Sequence, residues 1–176
     1  DDASLPAVTI DLWVPWHMEM FDWFRTGRLS NGEPLPDYLF SVNPWLLYAA
    51  NWYSDSWLDH CRRYVDQMIG QLGLTPSSHV VEVASNDGYL LQYFVARGIP
   101  VLGVEPAVNV AKVAVDKGVP TLVKFFGRAA AEGMVTEGPR ADLLLGNNVL
   151  AQVHDLNDFV AGLKVLLAER GTITIE

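Results

Sequence analysis

Cysteine is almost absent from this chain of 176 residues: Cys61 stands alone, which excludes an internal disulfide. Histidine is scarce too, with four scattered residues, so no Cys/His spacing suited to a structural zinc ion occurs and no metal is expected. No apolar run approaches the ~20 residues that a membrane-spanning helix needs, and the N-terminus lacks the basic, apolar and small-residue order of a secretory signal. A cytoplasmic protein with no membrane partner is therefore expected. Cations are also few. Twelve Lys and Arg stand against 21 Asp and Glu, a net charge of −9, which disfavours nucleic-acid binding through phosphate neutralisation. Neither repeats nor low-complexity tracts occur. What the chain does have is apolar content, 50% of its residues, enough to bury the core of one domain.

The charge and the aromatics are unevenly placed. Residues 1–60 carry nine acids against Arg25 and Arg28, while the remainder is close to balanced. All six tryptophans fall at Trp13, Trp16, Trp23, Trp45, Trp52 and Trp57. Residues 1–53 thus form an acidic, aromatic zone broken by prolines at 6, 15, 34, 36 and 44, in which AVTIDLWV is the one candidate strand. Its tryptophans suit either packing on an irregular cap or an interface.

Periodicity sharpens from Ser54. Trp57, Cys61, Tyr64, Val65, Met68, Ile69 and Leu72 recur at spacings of three and four, which predicts an amphipathic helix over 54–73, capped by Ser54 or Ser56 and closed by Gly73. HVVEVAS then reads as a buried strand, followed by GYLLQYFVARG (helix), PVLGVEP (strand), AVNVAKVAVDKG (helix) and PTLVKFFG (strand). RAAAEGMVTEG (helix), ADLLLGNNV (strand), LNDFVAGLKVLLAERG (helix) and GTITIE (strand) complete the alternation. Such alternation predicts an α/β fold with a mainly parallel, doubly wound sheet over residues 54–176.

In such sheets a ligand lies beyond the carboxyl ends of the strands, so the informative residues are those just after them. After the first buried strand comes Glu82-Val83-Ala84-Ser85-Asn86-Asp87-Gly88, whose small residues let the backbone approach a ligand. About twenty residues on stands Glu105, followed by Pro106; a carboxylate there can accept hydrogen bonds from the hydroxyls of a ribose. The pair indicates a nucleoside-containing ligand. The loop has one glycine where a pyrophosphate-binding G-x-G-x-x-G has three, which disfavours NAD and leaves S-adenosylmethionine (SAM), a ligand without phosphate. Glu82, inside its strand, needs a partner if buried, and either holds the loop or receives the ligand's ammonium. The less favoured readings are turn residues for Asn86 and Asp87, the neighbour of a helix cap for Glu105, and a turn closer for one of Asn147 and Asn148.

EVASNDGYLLQYF, GIPVLGVEPAVNVA, VKFFG and ADLLLGNNVLAQVHDLNDFVAGLK together resemble the SAM-dependent C-methyltransferases that act on nucleotide-linked deoxysugars in antibiotic pathways. YSDSWLDHCRRYV resembles the helix before their cofactor domain, so the likeness spans about residues 53–176. It implies a Rossmann-like class I methyltransferase domain with SAM as cofactor and a nucleotide sugar as partner. Ala84, Ser85, Asn86 and Gly88 would line the methionine part, Glu105 would hold the ribose, and Phe125 and Phe126 would lie near the adenine. Asn147, Asn148 and Val149 would face the methyl-donor side.

Three departures from that family stand out. The cysteine-rich zinc region with which it opens is missing, and Gln152-Val153-His154-Asp155 replaces its usual H-V-P-D. The sheet is expected to be truncated after GTITIE, before the family's acceptor domain and Tyr/His-rich motif, so no catalytic base is assigned. His60 and His154 could substitute, although each reads more readily as a capping or surface residue. The alternatives are a non-catalytic SAM-binding remnant and an NAD-dependent oxidoreductase. A fifth strand left bare would expose Ile173 and Ile175, and either AVTIDLWV or a second copy of the chain is expected to cover it.

Overall fold

The computed structural model describes Val8, Thr9 and residues 55–175. The tryptophans from Trp13 to Trp52, the rest of AVTIDLWV and the Ser54 cap lie outside these residues. The chain divides into two compact units, residues 1–11 with 60–176, and residues 12–59. Of the second unit only 55–59 are described, the opening of helix α1. The account below concerns the first.

Its elements run β1 (Val8–Thr9), α1 (Asp55–Leu72), β2 (Val80–Val83), α2 (Leu91–Val95), β3 (Val101–Val104) and α3 (Val108–Asp116). They continue with β4 (Thr121–Leu122), α4 (Arg128–Glu137), β5 (Ala141–Gly146), a 3₁₀ turn (Leu150–Gln152), α5 (Leu156–Leu166) and β6 (Leu167–Ile175). One sheet results, ordered β1-β6-β5-β2-β3-β4, with parallel pairing throughout. The chain leaves β2 toward β3 on one side and returns through β5 on the other, so the strand order reverses beside β2.

β2 is buried along its whole length, as expected of a β-branched run between two neighbours. Alternation then sorts its side chains. Val81 and Val83 join Val104, Leu144, Ala131, Met134, Phe159 and Leu163 in a core closed by α4 and α5. Val80 and Glu82 point to the opposite face. α1 belongs to that face: its Tyr64 hydroxyl bonds Thr174 Oγ1 of β6 at 2.7 Å, in the interior. Gly73 ends α1 with φ 62, as its position predicts. With helices on both faces the sheet is doubly wound.

Several boundaries differ from expectation, among them α2, where GYLLQYFVARG supplies only Leu91–Val95. The last helix stops at Leu166 rather than running through Arg170, because Leu167 is extended (φ −67, ψ 135) and pairs with Ala141. Arg140 Nη1 takes the Val165 carbonyl, satisfying a group that the helix end leaves open. The ladder is irregular before resuming at Leu143 opposite Thr172; there Gly171 passes so near Ala141 that a Cβ would lie 2.6 Å from its carbonyl oxygen. PTLVKFFG supplies only the two residues of β4, a short outer strand of the kind that limits edge pairing. At the other edge Val8 lies opposite Ile173 and Thr9 opposite Thr174, so the AVTIDLWV segment does contribute a strand beside β6.

α5 approaches the start of α4 closely, through Gly162. A Cβ there would sit 2.8 Å from the Gly127 carbonyl and 3.0 Å from the Phe126 ring, whereas a Cβ on Gly133, exposed on α4, would meet nothing within 4 Å. Gly162→Ala is expected to destabilise by about 1–3 kcal/mol through overpacking. Gly133→Ala should stabilise by about 0.5–1 kcal/mol through helix propensity. Urea unfolding of the two variants checks the pair, and shifts of the same sign would refute the close approach.

Candidate functional site

The polypeptide leaves β2 through a loop of unusual backbone. Ala84 (φ 57), Asn86 (φ 51) and Gly88 (φ 74) all lie in the left-handed region, which alanine rarely enters. Local bonds hold the winding: Asn86 Nδ2 donates to the Ala84 carbonyl at 2.7 Å, and the Gly88 amide donates to the Ser85 carbonyl at 3.0 Å. Gly88 is doubly constrained, since a Cβ would also fall 3.0–3.2 Å from Val119 and Ala114. Sidedness follows from the strand order, which puts this loop, the segment after β3 and the segment after β5 together at one end of the sheet.

Glu105, buried at the end of β3, ties two of these segments together. Its Oε2 accepts from the Asn86 amide at 3.2 Å and its Oε1 from the Ala107 amide at 2.8 Å, one residue before α3. The carboxylate thus does hold a helix entrance and the loop at once. Two oxygens offer about four acceptor positions, so capacity for further donors remains. Pro106 follows, partly buried. Ser85 is fully buried beneath the loop, and its Oγ has no hydrogen-bond partner among the described residues. It fits only because β3 carries Gly103, whose Cβ would collide with that hydroxyl.

Asp87 pairs with a lysine outside the loop. Its Oδ2 meets Lys117 Nζ, just past α3, at 2.5 Å, with the carboxylate almost wholly buried and the lysine partly exposed. The ion pair pins the loop to the far end of a helix. Glu82 is entirely buried, and Asn147, two residues beyond its register partner Leu145, donates from Nδ2 to Glu82 Oε1 at 3.1 Å. Burial pushes the Glu82 carboxyl well above the usual carboxylate range; the Asn147 bond opposes that shift and the charge of Asp87 adds to it.

Asn148 adopts φ 52 and lends its carbonyl to Gln152 Nε2 at 3.1 Å, which makes it the turn closer of the asparagine pair. Val149, partly buried, leans toward Gly146, where a Cβ would approach it to 3.1 Å. The adjacent phenylalanines part company: Phe125 is 85% exposed, while Phe126 packs edge-on against Phe159 at 5.4 Å. His154 is exposed between the 3₁₀ turn and α5.

The fold therefore gathers Glu82, Ala84, Ser85, Asn86, Gly88, Glu105 and Asn147 by bonds or contacts, and directs Asp87 and Phe126 into packing. Lys117 and Gly103 escape sequence reasoning. Only the second left a signal, a glycine inside a β-branched run, which marks close approach by another group.

No family model matches the chain. It is 35% identical over 141 residues to the C-methyltransferase NovU of Streptomyces niveus, an alignment covering 80% of this chain and 33% of that protein. The chain thus spans about one third of the relative's length. Among solved structures, the plantazolicin methyltransferase BpumL, in complex with pentazolic desmethylPZN analog and SAH, superposes with a TM-score of 0.52 at 11% identity, over 73% of this chain and 51% of that one. Coclaurine N-methyltransferase, bound to N-methylheliamine and SAH, gives 0.50 at 10% identity, over 65% and 35%. These identities establish the architecture alone. The chain has the Rossmann-like fold of class I SAM-dependent methyltransferases and is similar in sequence to a C-methyltransferase over most of its own length.

Proposed function

We propose that this chain is the cofactor-binding part of a SAM-dependent methyltransferase whose acceptor is a carbon of a nucleotide-linked keto-deoxysugar. The observation that carries the cofactor assignment is the cradle at the strand ends, in which three left-handed residues bring the backbone of Ala84–Gly88 against Glu105. Its chemistry fits SAM: a tightly wound backbone with little side-chain bulk, a buried hydroxyl on Ser85 with bonding capacity to spare, and the buried carboxylate of Glu105. When bound, SAM supplies an electrophilic methyl group on its sulfonium.

The chain's own residues then bind and orient. Glu105 accepts hydrogen bonds from the ribose hydroxyls through the acceptor positions left after Asn86 and Ala107. Ala84, Ser85, Asn86 and Gly88 line the methionine part with little steric bulk. Phe125 offers an exposed ring to the adenine, Asn147 an amide to the methyl-donor side, and Asn148 and Val149 complete the turn beneath it. An in-line attack on a methyl group rests mainly on this positioning. The sugar acceptor is supported by the motifs EVASNDG and GNNVLA and by the one C-methyltransferase relative.

Calorimetric titration tests the cofactor: SAM and S-adenosylhomocysteine (SAH) should bind and NADH should not, while the reverse order would select a dehydrogenase. Binding without methylation of any keto-sugar nucleotide would make the chain a non-catalytic SAM binder. Glu105→Ala is expected to weaken SAH binding by roughly ten- to a hundredfold, because bonds to a charged group are worth about 1.5–3 kcal/mol. An unchanged dissociation constant would remove Glu105 from the site.

The ion pair beneath the loop yields a second expectation. Lys117→Met leaves the buried Asp87 carboxylate without its cation, at about 1–3 kcal/mol once the partial exposure of the lysine is allowed for. Combining it with Asp87→Asn should recover part of that loss. A double-mutant cycle by thermal melting measures the coupling, and strictly additive effects would show that the pair does not anchor the loop.

A further inference from the structure

One buried group is left unexplained by cofactor contacts alone, the carboxyl of Glu82 on the strand nearest the cradle. It has no exposed surface. Oε1 accepts from Asn147 Nδ2 at 3.1 Å, and Oε2 has no hydrogen-bond partner among the described residues. An ionised carboxylate in such a place would need a cation or several donors to offset the loss of water. Donors of the loop, of α3 and of α1 have partners of their own. Lys117, at the end of α3, is paired with Asp87, and the loop and α3 amides of Asn86 and Ala107 donate to Glu105 at the end of β3. On the α1 side the Tyr64 hydroxyl is bonded to Thr174. The charged group that does act on Glu82 is Asp87, of the same sign.

We infer that Glu82 is a positioning residue that works as an uncharged carboxylic acid, its Oε1 engaging Asn147 Nδ2 so that the amide oxygen is the end offered to the ligand. The amide has two unlike ends, a donor Nδ2 and an acceptor Oδ1. Glu82 Oε1 takes the donor, and a carboxylic acid with its proton on Oε2 can do this without placing a charge in the interior. Asn147 is then left with an acceptor, which suits the positive end of a ligand, an ammonium or a sulfonium. This inference rests on the SAM-binding reading for the ligand; the protonation state of Glu82 stands apart from it.

The pH dependence follows from the raised position of the Glu82 carboxyl. Above the free glutamate value of about 4.3 the unfolded chain gives up this proton while the folded chain retains it, so the group lowers stability as pH rises. Glu82→Gln reproduces the uncharged acid in shape and removes the titration. Its melting temperature should exceed that of the wild type at about pH 8, with the gap closing toward about pH 4.

The test combines infrared spectroscopy of the ligand-free protein with SAH titration. At neutral pH the wild type should show the carbonyl band of a buried protonated carboxyl group, absent from Glu82→Gln. SAH should bind Glu82→Gln within about threefold of the wild type. Asn147→Leu should weaken SAH binding at least tenfold, and adding Glu82→Leu to it should weaken binding no further, because Glu82 acts through Asn147. A missing protonated band, or a Glu82→Gln variant that binds SAH more than tenfold more weakly, would overturn the inference and make the charged form the working one. Additive losses would reduce Glu82 to a general structural role. If the wild type binds no SAH, the cofactor reading fails, while the infrared band and the melting gap still decide the state of Glu82.

Discussion

The burial of β2 on both faces and between two partner strands is the constraint on which the rest depends. A strand so enclosed has its backbone groups committed to β3 and β5, so the chain after Val83 can only leave at the carboxyl end and turn sharply. The left-handed residues at Ala84, Asn86 and Gly88 are the consequence: they turn the chain within a few residues and direct the Asn86 amide toward Glu105. The left-handed conformation of Ala84 is held by the bond from Asn86 Nδ2 to its carbonyl. Glu82 obeys the same constraint, since a polar residue at the third position of this strand has nowhere to go but inward.

Much of this arrangement was legible in the sequence, for reasons that are themselves physical. β2, β3 and β5 announce themselves as short, mostly apolar runs bounded by turn formers, because strands covered on both faces have little use for polar residues. The residues after them could be named as a site because topology, not side-chain detail, decides where such sheets bind. Legibility failed where the deciding partner was distant in sequence. Asp87 reads as a turn residue or ligand neighbour until Lys117, thirty positions later, is seen to claim it. The end of the last helix is hidden in the sequence because LKVLLAERG is a good helical pattern, and only the register opposite Ala141 pulls Leu167 into the sheet. Tertiary pairing overrides propensity there.

Glu105 serves two ends at once. Its two possible roles, ribose acceptor and support for a helix entrance, were alternatives in the sequence, yet the geometry makes them compatible. Bonds to the amides of Asn86 and Ala107 fix the carboxylate in place. A group so fixed loses little freedom on meeting a ligand, which is the condition for strong recognition by a single side chain.

The divergence of Phe125 and Phe126 carries a consequence of its own. Beyond the two-residue strand β4 the chain is released from the ladder, and there Phe126 is wedged against Phe159 while Phe125 stands in solvent. The inner ring acts as an anchor bolt for the outer one. Because the backbone at Phe126 is already immobilised, an aromatic surface laid on Phe125 would have to still only two side-chain torsions, and little of the ordering entropy that a free loop demands would be charged to the encounter.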